Sequence, residues 1–261
     1  LRIGEGPHFL ALTRASAGAP RIDHFGLSVE NFDADRVLGT LASHGVTEAQ
    51  GGQSLSGGPM RVRRTTRAGT SELHMGDPDG LVIQLQHPSY CGGSGPLGDR
   101  CGPAEPAPRP GSIALHGMSH LTINVPHPVA TNAFYQEAFG MDTQAYQAAS
   151  PLMGAGPDAH FLMFTGAGAT GTARINHACF SLENFNVADV QDALEGHGIT
   201  PRGGAGGGEP LKHWISLRMP NRGGALDGTP ELYFSDPDGL SIQLQDVLYC
   251  GGGGYLGGLC S

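Results

Sequence analysis

Residues 231–244 read Glu-Leu-Tyr-Phe-Ser-Asp-Pro-Asp-Gly-Leu-Ser-Ile-Gln-Leu. Residues 72–85 read Glu-Leu-His-Met-Gly-Asp-Pro-Asp-Gly-Leu-Val-Ile-Gln-Leu, so the same pattern occurs 159 positions earlier. In each copy, Asp-Pro-Asp-Gly predicts a tight turn, because proline presets its own backbone angle and glycine accepts a positive φ. The apolar residues on either side predict a strand before the turn and a closing strand after it.

The sequence similarity extends upstream of this motif. Residues 21–32 match residues 174–185, here 153 positions apart, so the second copy carries six extra residues between about 200 and 219, where the run 203–208 lies. Each copy begins with an alternating strand, at 22–29 and at 175–182, and continues into a helix. Candidate N-caps for these helices are polar residues: Asn31 or Asp33, and Asn184 or Asn186. Each copy is therefore predicted to be a β-α-β-β-β unit.

A third unit begins near residue 113, with a strand at 116–125, a helix at 130–139 and a later strand at 160–164. Residues 7–12 match 159–164, which indicates the tail of a further unit whose beginning is missing. The predicted domain organisation is an N-terminal half at 1–90, a Gly/Pro-rich linker at 91–112, and a C-terminal half at 113–261 that holds two units.

Paired β-α-β-β-β units that close on this motif resemble the vicinal oxygen chelate superfamily, which includes glyoxalase I, bleomycin-resistance proteins and type I extradiol dioxygenases. The resemblance implies an α+β fold in which tandem units form curved mixed sheets around a metal ion. Two pairs of units require four, so we expect that the first unit is truncated here, or was cleaved, or lies on another polypeptide.

The resemblance also implies a metal site. Its positions in this sequence are His120, His177 and Glu231, a 2-His-1-carboxylate set that suits non-haem Fe(II), with Mn(II) or Zn(II) as alternatives. His24 and Glu72 are the corresponding residues of the first half and suggest a second site. The competing interpretation is that these are ordinary strand residues, although an unpaired buried glutamate would be costly.

Three further residues are candidates for catalysis. His213 lies 18 positions before Glu231, which resembles the acid/base histidine of extradiol enzymes. Arg222 stands where those enzymes carry a tyrosine, so it either holds an anionic substrate group or is a solvated loop charge. His160 resembles a pocket histidine, but His8 is its counterpart in the first half, so a structural role is equally open.

The cysteines form a repeated pattern. Cys91 and Cys101 are ten residues apart, as are Cys250 and Cys260, and each pair lies in a glycine-rich loop. Two local disulfides would hold such loops, which implies an exported, periplasmic or extracellular protein; reduced cysteines would indicate the cytoplasm. Zinc binding by a pair is the alternative. Cys179 remains, and its position favours a buried thiol beside the metal.

Composition excludes several partners. The formal net charge is −9 without a basic stripe, which argues against nucleic acid. No apolar run approaches about 18 residues, which argues against a membrane span. The expected partners are a small-molecule substrate and either a second copy of the chain or the missing N-terminal segment.

Three functions follow from these predictions. The leading hypothesis is an Fe(II) dioxygenase that resembles extradiol enzymes, chelates two vicinal substrate oxygens and uses O2. The second is a glyoxalase-like isomerase or lyase that uses the metal without oxygen. The third is a non-catalytic binding protein that resembles bleomycin-resistance proteins.

Overall fold

The computed structural model describes residues 1–15, 18–168, 171–203 and 209–260. The first half forms a mixed five-stranded sheet in the order β1-β5-β4-β3-β2, with β1 parallel to β5 and β2 parallel to β3. Its elements are β1 (His24–Ser28), α1 (Ala34–Ser43), β2 (Thr47–Glu48), β3 (Arg61–Arg67), β4 (Thr70–Gly76) and β5 (Val82–Gln86).

The second half forms a mixed nine-stranded sheet in the order β11-β12-β13-β14-β10-β6-β9-β8-β7. Its first unit contains β6 (Leu115–Val125), α2 (Pro128–Phe139), β7 (Thr143–Gln147), β8 (Ser150–Gly154) and β9 (Phe161–Gly166). Its second unit contains β10 (Arg174–Leu182), α3 (Val187–Gly196), β11 (Thr200–Pro201), β12 (Lys212–Arg218), β13 (Thr229–Ser235) and β14 (Ser241–Asp246), with a short 3₁₀ helix at Pro220–Arg222.

The predicted fold class, tandem units that form curved mixed sheets, is confirmed. The unit from β6 to β9 has the predicted β-α-β-β-β order. The other two units add a two-residue strand, β2 or β11, directly after the helix. Part of the predicted insertion, residues 204–208, lies outside the described residues.

Local signals define the helix ends. Asp33 caps α1 by accepting a hydrogen bond from the Arg36 amide at 2.8 Å. Asn186 caps α3 by accepting from the amides of Ala188 and Asp189. In both of these units, the second of the two candidate N-caps is the one used. A capping side-chain oxygen must reach backbone amides two or three residues onward.

One hydrophobic core joins the two sheets. It contains fully buried residues of the first sheet, such as Leu73 and Ile83, and fully buried residues of the second, such as Ile123 and Leu232. The first sheet ends at Gln86 and the second begins at Leu115. The proposed domain boundaries within that interval stay a prediction.

Both Asp-Pro-Asp-Gly turns are held by their first aspartate. Asp77 Oδ1 accepts from the amides of Asp79 and Leu81, and Asp236 makes the same two bonds in the second copy. Asp77 also accepts from the Tyr135 hydroxyl on α2 at 3.1 Å, so this turn contacts the second half. Burial raises the pKa of Asp77 to about 6.

Both predicted cysteine pairs are bonded. Cys91 and Cys101 have Cα atoms 6.3 Å apart, and Cys250 and Cys260 have theirs 6.2 Å apart. These bonds are consistent with an oxidising compartment. None of the helices in the described part of the chain has the length and apolarity that a membrane span requires.

Candidate metal centre and ligand pocket

One row of residues crosses the centre of the large sheet. His120 on β6 lies opposite Cys179 on β10, and Cys179 lies opposite Gln243 on β14. Gln243 in turn lies opposite Tyr233 on β13, and Tyr233 lies opposite Trp214 on β12. Strand pairing therefore brings residues that are more than 100 positions apart in the sequence to one face of the sheet.

The two predicted histidine ligands lie together on this face. The rings of His120 and His177 have centroids 5.8 Å apart and are nearly perpendicular. Both residues are buried, and His120 stacks on Phe161 at 4.2 Å. Burial lowers the pKa of His177 to about 4 and the pKa of His120 well below its usual value, and His177 adds to the shift at His120. Both imidazoles are therefore neutral at pH 7, the form that binds a metal ion.

A chain of amides orients His177. Thr165 accepts from the Asn124 side-chain amide at 2.7 Å, and Asn124 Oδ1 accepts from the Asn176 amide at 2.9 Å. This fixes the Asn176 carbonyl oxygen toward His177 Nδ1, 2.8 Å away. Nδ1 must then carry the proton, which leaves a lone pair on Nε2. Nε2 is buried and has no hydrogen-bond partner among the described residues.

Gln243 is a third polar group in this pocket, opposite Cys179 and Tyr233 in strand register. Its side chain is 1% exposed, and its closeness to both imidazoles opposes the lowering of their pKa by burial. The Gln243 amide nitrogen is buried without a partner among the described residues.

Glu231 lies on the wall of the same pocket but is engaged by other groups. Its Oε1 accepts from Arg218 Nε at 2.8 Å and from the Tyr249 hydroxyl at 3.1 Å, and its Oε2 accepts from the Tyr233 hydroxyl at 3.3 Å. The side chains of Arg218 and Glu231 are 0% and 4% exposed. The predicted carboxylate ligand therefore takes part in a buried ion pair.

The pocket at this centre has a volume of about 220 Å³. It is smaller than the roughly 300–1,000 Å³ typical of drug-sized ligand sites. Arg222, on the 3₁₀ helix, is exposed and contributes to its lining. The other lining residues are mostly polar: His120, Thr122, Asn124, Gln147, Met163, Thr165, Asn176, His177, Glu231, Tyr233, Gln243 and Tyr249.

Two of the catalytic candidates lie elsewhere. His213 alternates with Trp214 along β12, so it points to the opposite face of the sheet, where its Nε2 lies 3.2 Å from Glu195 on α3. In strand register it occupies the position of Val62 of the first half and does not belong to an insertion. His160 precedes β9 and packs edge-on against His8, with ring centroids 5.1 Å apart. We assign neither residue a role at this pocket.

A larger cleft of about 740 Å³ lies between the two halves. Corresponding stretches of the two copies line it, including Arg21 and Arg174, together with Trp214. Asn176 borders both cavities, whereas His120 and His177 line only the smaller one. The smaller pocket is therefore the one with ligand chemistry.

Comparison with known proteins identifies the family. Residues 117–244 match the family model described as the glyoxalase/bleomycin resistance protein/dioxygenase superfamily. The C-terminal half of this chain belongs to that superfamily. The recognition made from the sequence is thereby confirmed.

Solved structures share the fold of this chain at low identity. A catechol 2,3-dioxygenase is 17% identical with a TM-score of 0.55, and the match covers 91% of this chain and 70% of that one. A halotolerant catechol dioxygenase has the same identity and TM-score over 91% and 69% of the two chains. A Mn(II)-bound glyoxalase from Novosphingobium aromaticivorans is 14% identical with a TM-score of 0.54 over 86% and 62%. The curated proteins contain no match to the chain.

The residues of the C-terminal half fit a metal ion in part. Two imidazole nitrogens at about 2.1 Å from a tetrahedral ion place their ring centroids roughly 5 Å apart. The observed 5.8 Å needs only a small adjustment. Among the residues that the structure describes, no group of three or more His, Cys, Asp or Glu side chains is arranged to hold a metal ion. The nitrogen donors that fit are His120 and His177, and the Gln243 side chain lines the same pocket.

Sequence reasoning missed Gln243 and Asn176. The signal for Gln243 was present, because Ile-Gln-Leu follows the Asp-Pro-Asp-Gly turn in both copies. No signal in the sequence distinguished Asn176, which lies at a β-bulge where the pairing of β10 with β6 shifts by one residue. A bulge of this kind redirects one side chain, here toward His177.

Proposed function

We propose that this chain is a metal-dependent enzyme of the vicinal oxygen chelate type, with His120 and His177 as its nitrogen ligands and Gln243 as the third donor. The observation that carries the proposal is the unpartnered Nε2 of His177, which is buried in the pocket wall beside a second neutral imidazole. A buried polar atom without a partner is costly unless a ligand completes it.

A divalent cation at this position would supply a Lewis acid that binds two adjacent oxygens of a substrate and lowers the pKa of a coordinated hydroxyl. The chain itself would do the rest. The hydrogen bonds from Asn176 to Asn124 and from His177 to Asn176 hold the His177 ring in its ligating tautomer. Phe161 and Tyr249 pack on His120 and exclude water from that side.

The donor set favours Lewis-acid chemistry over oxygen activation. Non-haem Fe(II) oxygenases use two histidines and a carboxylate, whose charge stabilises the metal during oxidation. Here the carboxylate of Glu231 already neutralises Arg218, and Gln243 offers a neutral oxygen. We therefore place a glyoxalase-like isomerase or lyase before the Fe(II) dioxygenase predicted from the sequence.

The substrate is proposed to be small and polar. The pocket of about 220 Å³ has polar walls, and Arg222 supplies a guanidinium group that suits a carboxylate. A wide aromatic ring would instead need apolar walls, of which Met163 is the main example here.

The test of this proposal is metal analysis of the purified protein, followed by turnover of small hydroxy and keto acids with and without air. We expect wild type to bind one divalent metal at His120 and His177, and His177→Ala to bind one metal fewer per chain than wild type. Turnover that persists without oxygen supports the isomerase or lyase, and turnover that requires oxygen supports the dioxygenase. Absence of metal with ligand affinity retained in His177→Ala would establish the non-catalytic binding protein instead.

A further inference from the structure

The first half contains a row equivalent to the one that builds the pocket. Gly26 on β1 lies opposite Gln84 on β5, and Gln84 lies opposite His74 on β4. These positions correspond to Cys179, Gln243 and Tyr233 of the second half. The essential difference is that an imidazole replaces a phenol at position 74.

This replacement creates a second pair of histidine rings. In the second half, Tyr233 meets His177 edge-on with ring centroids 5.2 Å apart. In the first half, His74 meets His24 in the same way at 5.5 Å. That spacing is close to the roughly 5 Å expected for two imidazoles on one tetrahedral ion.

The tautomer of His24 is also suited to a metal. Asp23, which corresponds to Asn176, places its Oδ2 3.3 Å from His24 Nδ1. A carboxylate at Nδ1 keeps the proton there and leaves the Nε2 lone pair available. His74 is partly buried on β4, beside the exposed ring of His24.

The surrounding charges are balanced and the face is accessible. Glu72 lies near His74 and Arg63 lies opposite it in strand register, while Arg21 pairs with Asp23 at 2.7 Å. The side chain of His24 is 36% exposed. A cation can therefore reach both rings from solvent and complete its coordination with water.

We propose that His24 and His74 form a second binding site for a late divalent transition-metal ion such as Zn²⁺, separate from the site at His120 and His177. Two imidazole donors select ions of this class over Mg²⁺ or Ca²⁺. A further histidine pair of partly buried residues, His8 and His160, does not qualify. His8 Nδ1 accepts from the Met118 amide at 3.2 Å, so its proton lies on Nε2 and no lone pair is free.

The repeat provides a matched variant for the test. His74→Tyr introduces the residue that the second half carries at the equivalent position, Tyr233. It therefore removes the imidazole and replaces it with a side chain that the same fold position already accommodates. Zn²⁺ titration by calorimetry of the full chain is compared among wild type, His74→Tyr, His177→Ala and His160→Gln. A second site predicts two Zn²⁺ binding events in wild type and in His160→Gln. His74→Tyr and His177→Ala should each show a single event, because each variant removes a different site.

The outcomes separate this site from the proposed function. Loss of one Zn²⁺ equivalent in His74→Tyr, with the second retained, supports the second site whatever happens at His177. Unchanged Zn²⁺ stoichiometry in both His74→Tyr and His24→Gln overturns it. Electron paramagnetic resonance of bound Cu²⁺ gives an independent measure, since nitrogen hyperfine coupling assigned to this site must disappear in His74→Tyr.

Discussion

Arg218 and Glu231 form a buried ion pair in the wall of the pocket, with Nε and Oε1 2.8 Å apart and side chains that are 0% and 4% exposed. Arg218 also donates to the carbonyl of Gly252, within the disulfide-closed loop, at 2.9 Å. The first half has a related contact, in which Tyr90 donates to Glu72 at 3.1 Å. A glutamate that recurs beside both cysteine loops is explained by loop anchoring, which does not require a metal.

Glu231→Gln should destabilise the fold strongly. Removal of one partner leaves the Arg218 charge buried without compensation, which costs about 3–5 kcal/mol in the free energy of unfolding. Glu72→Gln is the matched control, because Glu72 is only partly buried and should cost under about 1 kcal/mol. Urea denaturation of both variants measures the difference. Equal small losses would contradict the role of the ion pair.

The two disulfides should differ in their effect on the pocket. Each closes a ten-residue separation, so replacing either pair by serines should cost about 2–3 kcal/mol of stability. Only the pair Cys250–Cys260 adjoins Tyr249, whose ring stacks near His120 at 5.5 Å. Zn²⁺ affinity at the C-terminal site should therefore fall in that variant alone. Equal retention of affinity in both variants would show that the loop does not shape the site.

The orienting role of Asn176 can be measured by metal affinity. Asn176→Ala removes the acceptor at His177 Nδ1, so Zn²⁺ affinity at the C-terminal site should drop about 10–100-fold. Asn176→Asp keeps an acceptor, as Asp23 does in the first half, and should retain most of the affinity. A loss of the same size in both variants would indicate a general packing defect.

Asp77 should make stability depend on pH. Its folded pKa is about 6 against a usual value of 3.8, because burial disfavours the charged carboxylate. Between these values the folded state holds a proton that the unfolded state has released, so stability falls as pH rises. Relative to Asp77→Asn, wild type should lose about 3 kcal/mol between roughly pH 4 and pH 6 and stay level above that range.

Thermal or urea denaturation across this pH range tests the prediction. Asp236→Asn is the control, because Asp236 holds the equivalent turn but is partly exposed. If Asp77→Asn and wild type change in parallel from pH 4 to pH 6, burial of the Asp77 carboxylate does not carry the effect.

The sequence predicted features that depend on local chemistry. The Asp-Pro-Asp-Gly turns, the helix caps and the cysteine pairs each follow from residues within about ten positions of one another. The His120–His177 pair followed from the family resemblance, and the two rings do lie together. The two histidines of the candidate site were therefore predicted without the structure.

The remainder depends on strand register, which sequence spacing does not determine. His213 precedes Glu231 at a suitable distance along the chain, yet β12 turns its side chain to the opposite face because adjacent strand residues alternate. Glu231 and Gln243 both line the pocket with the histidines. Only the contact of Arg218 shows that the Glu231 carboxylate is already engaged, which leaves the Gln243 oxygen as the available donor. A β-bulge at Asn176 is likewise set by pairing between strands that are far apart in the sequence.

We propose that His120, His177 and Gln243, without Glu231, form the metal centre of the C-terminal half. Zn²⁺ titration in a His74→Tyr background isolates this centre and compares Gln243→Ala with Glu231→Gln, each checked for native circular dichroism. Gln243→Ala should lose at least about tenfold in affinity, while Glu231→Gln should retain it. The opposite result, with affinity lost in Glu231→Gln and unchanged in Gln243→Ala, would contradict it.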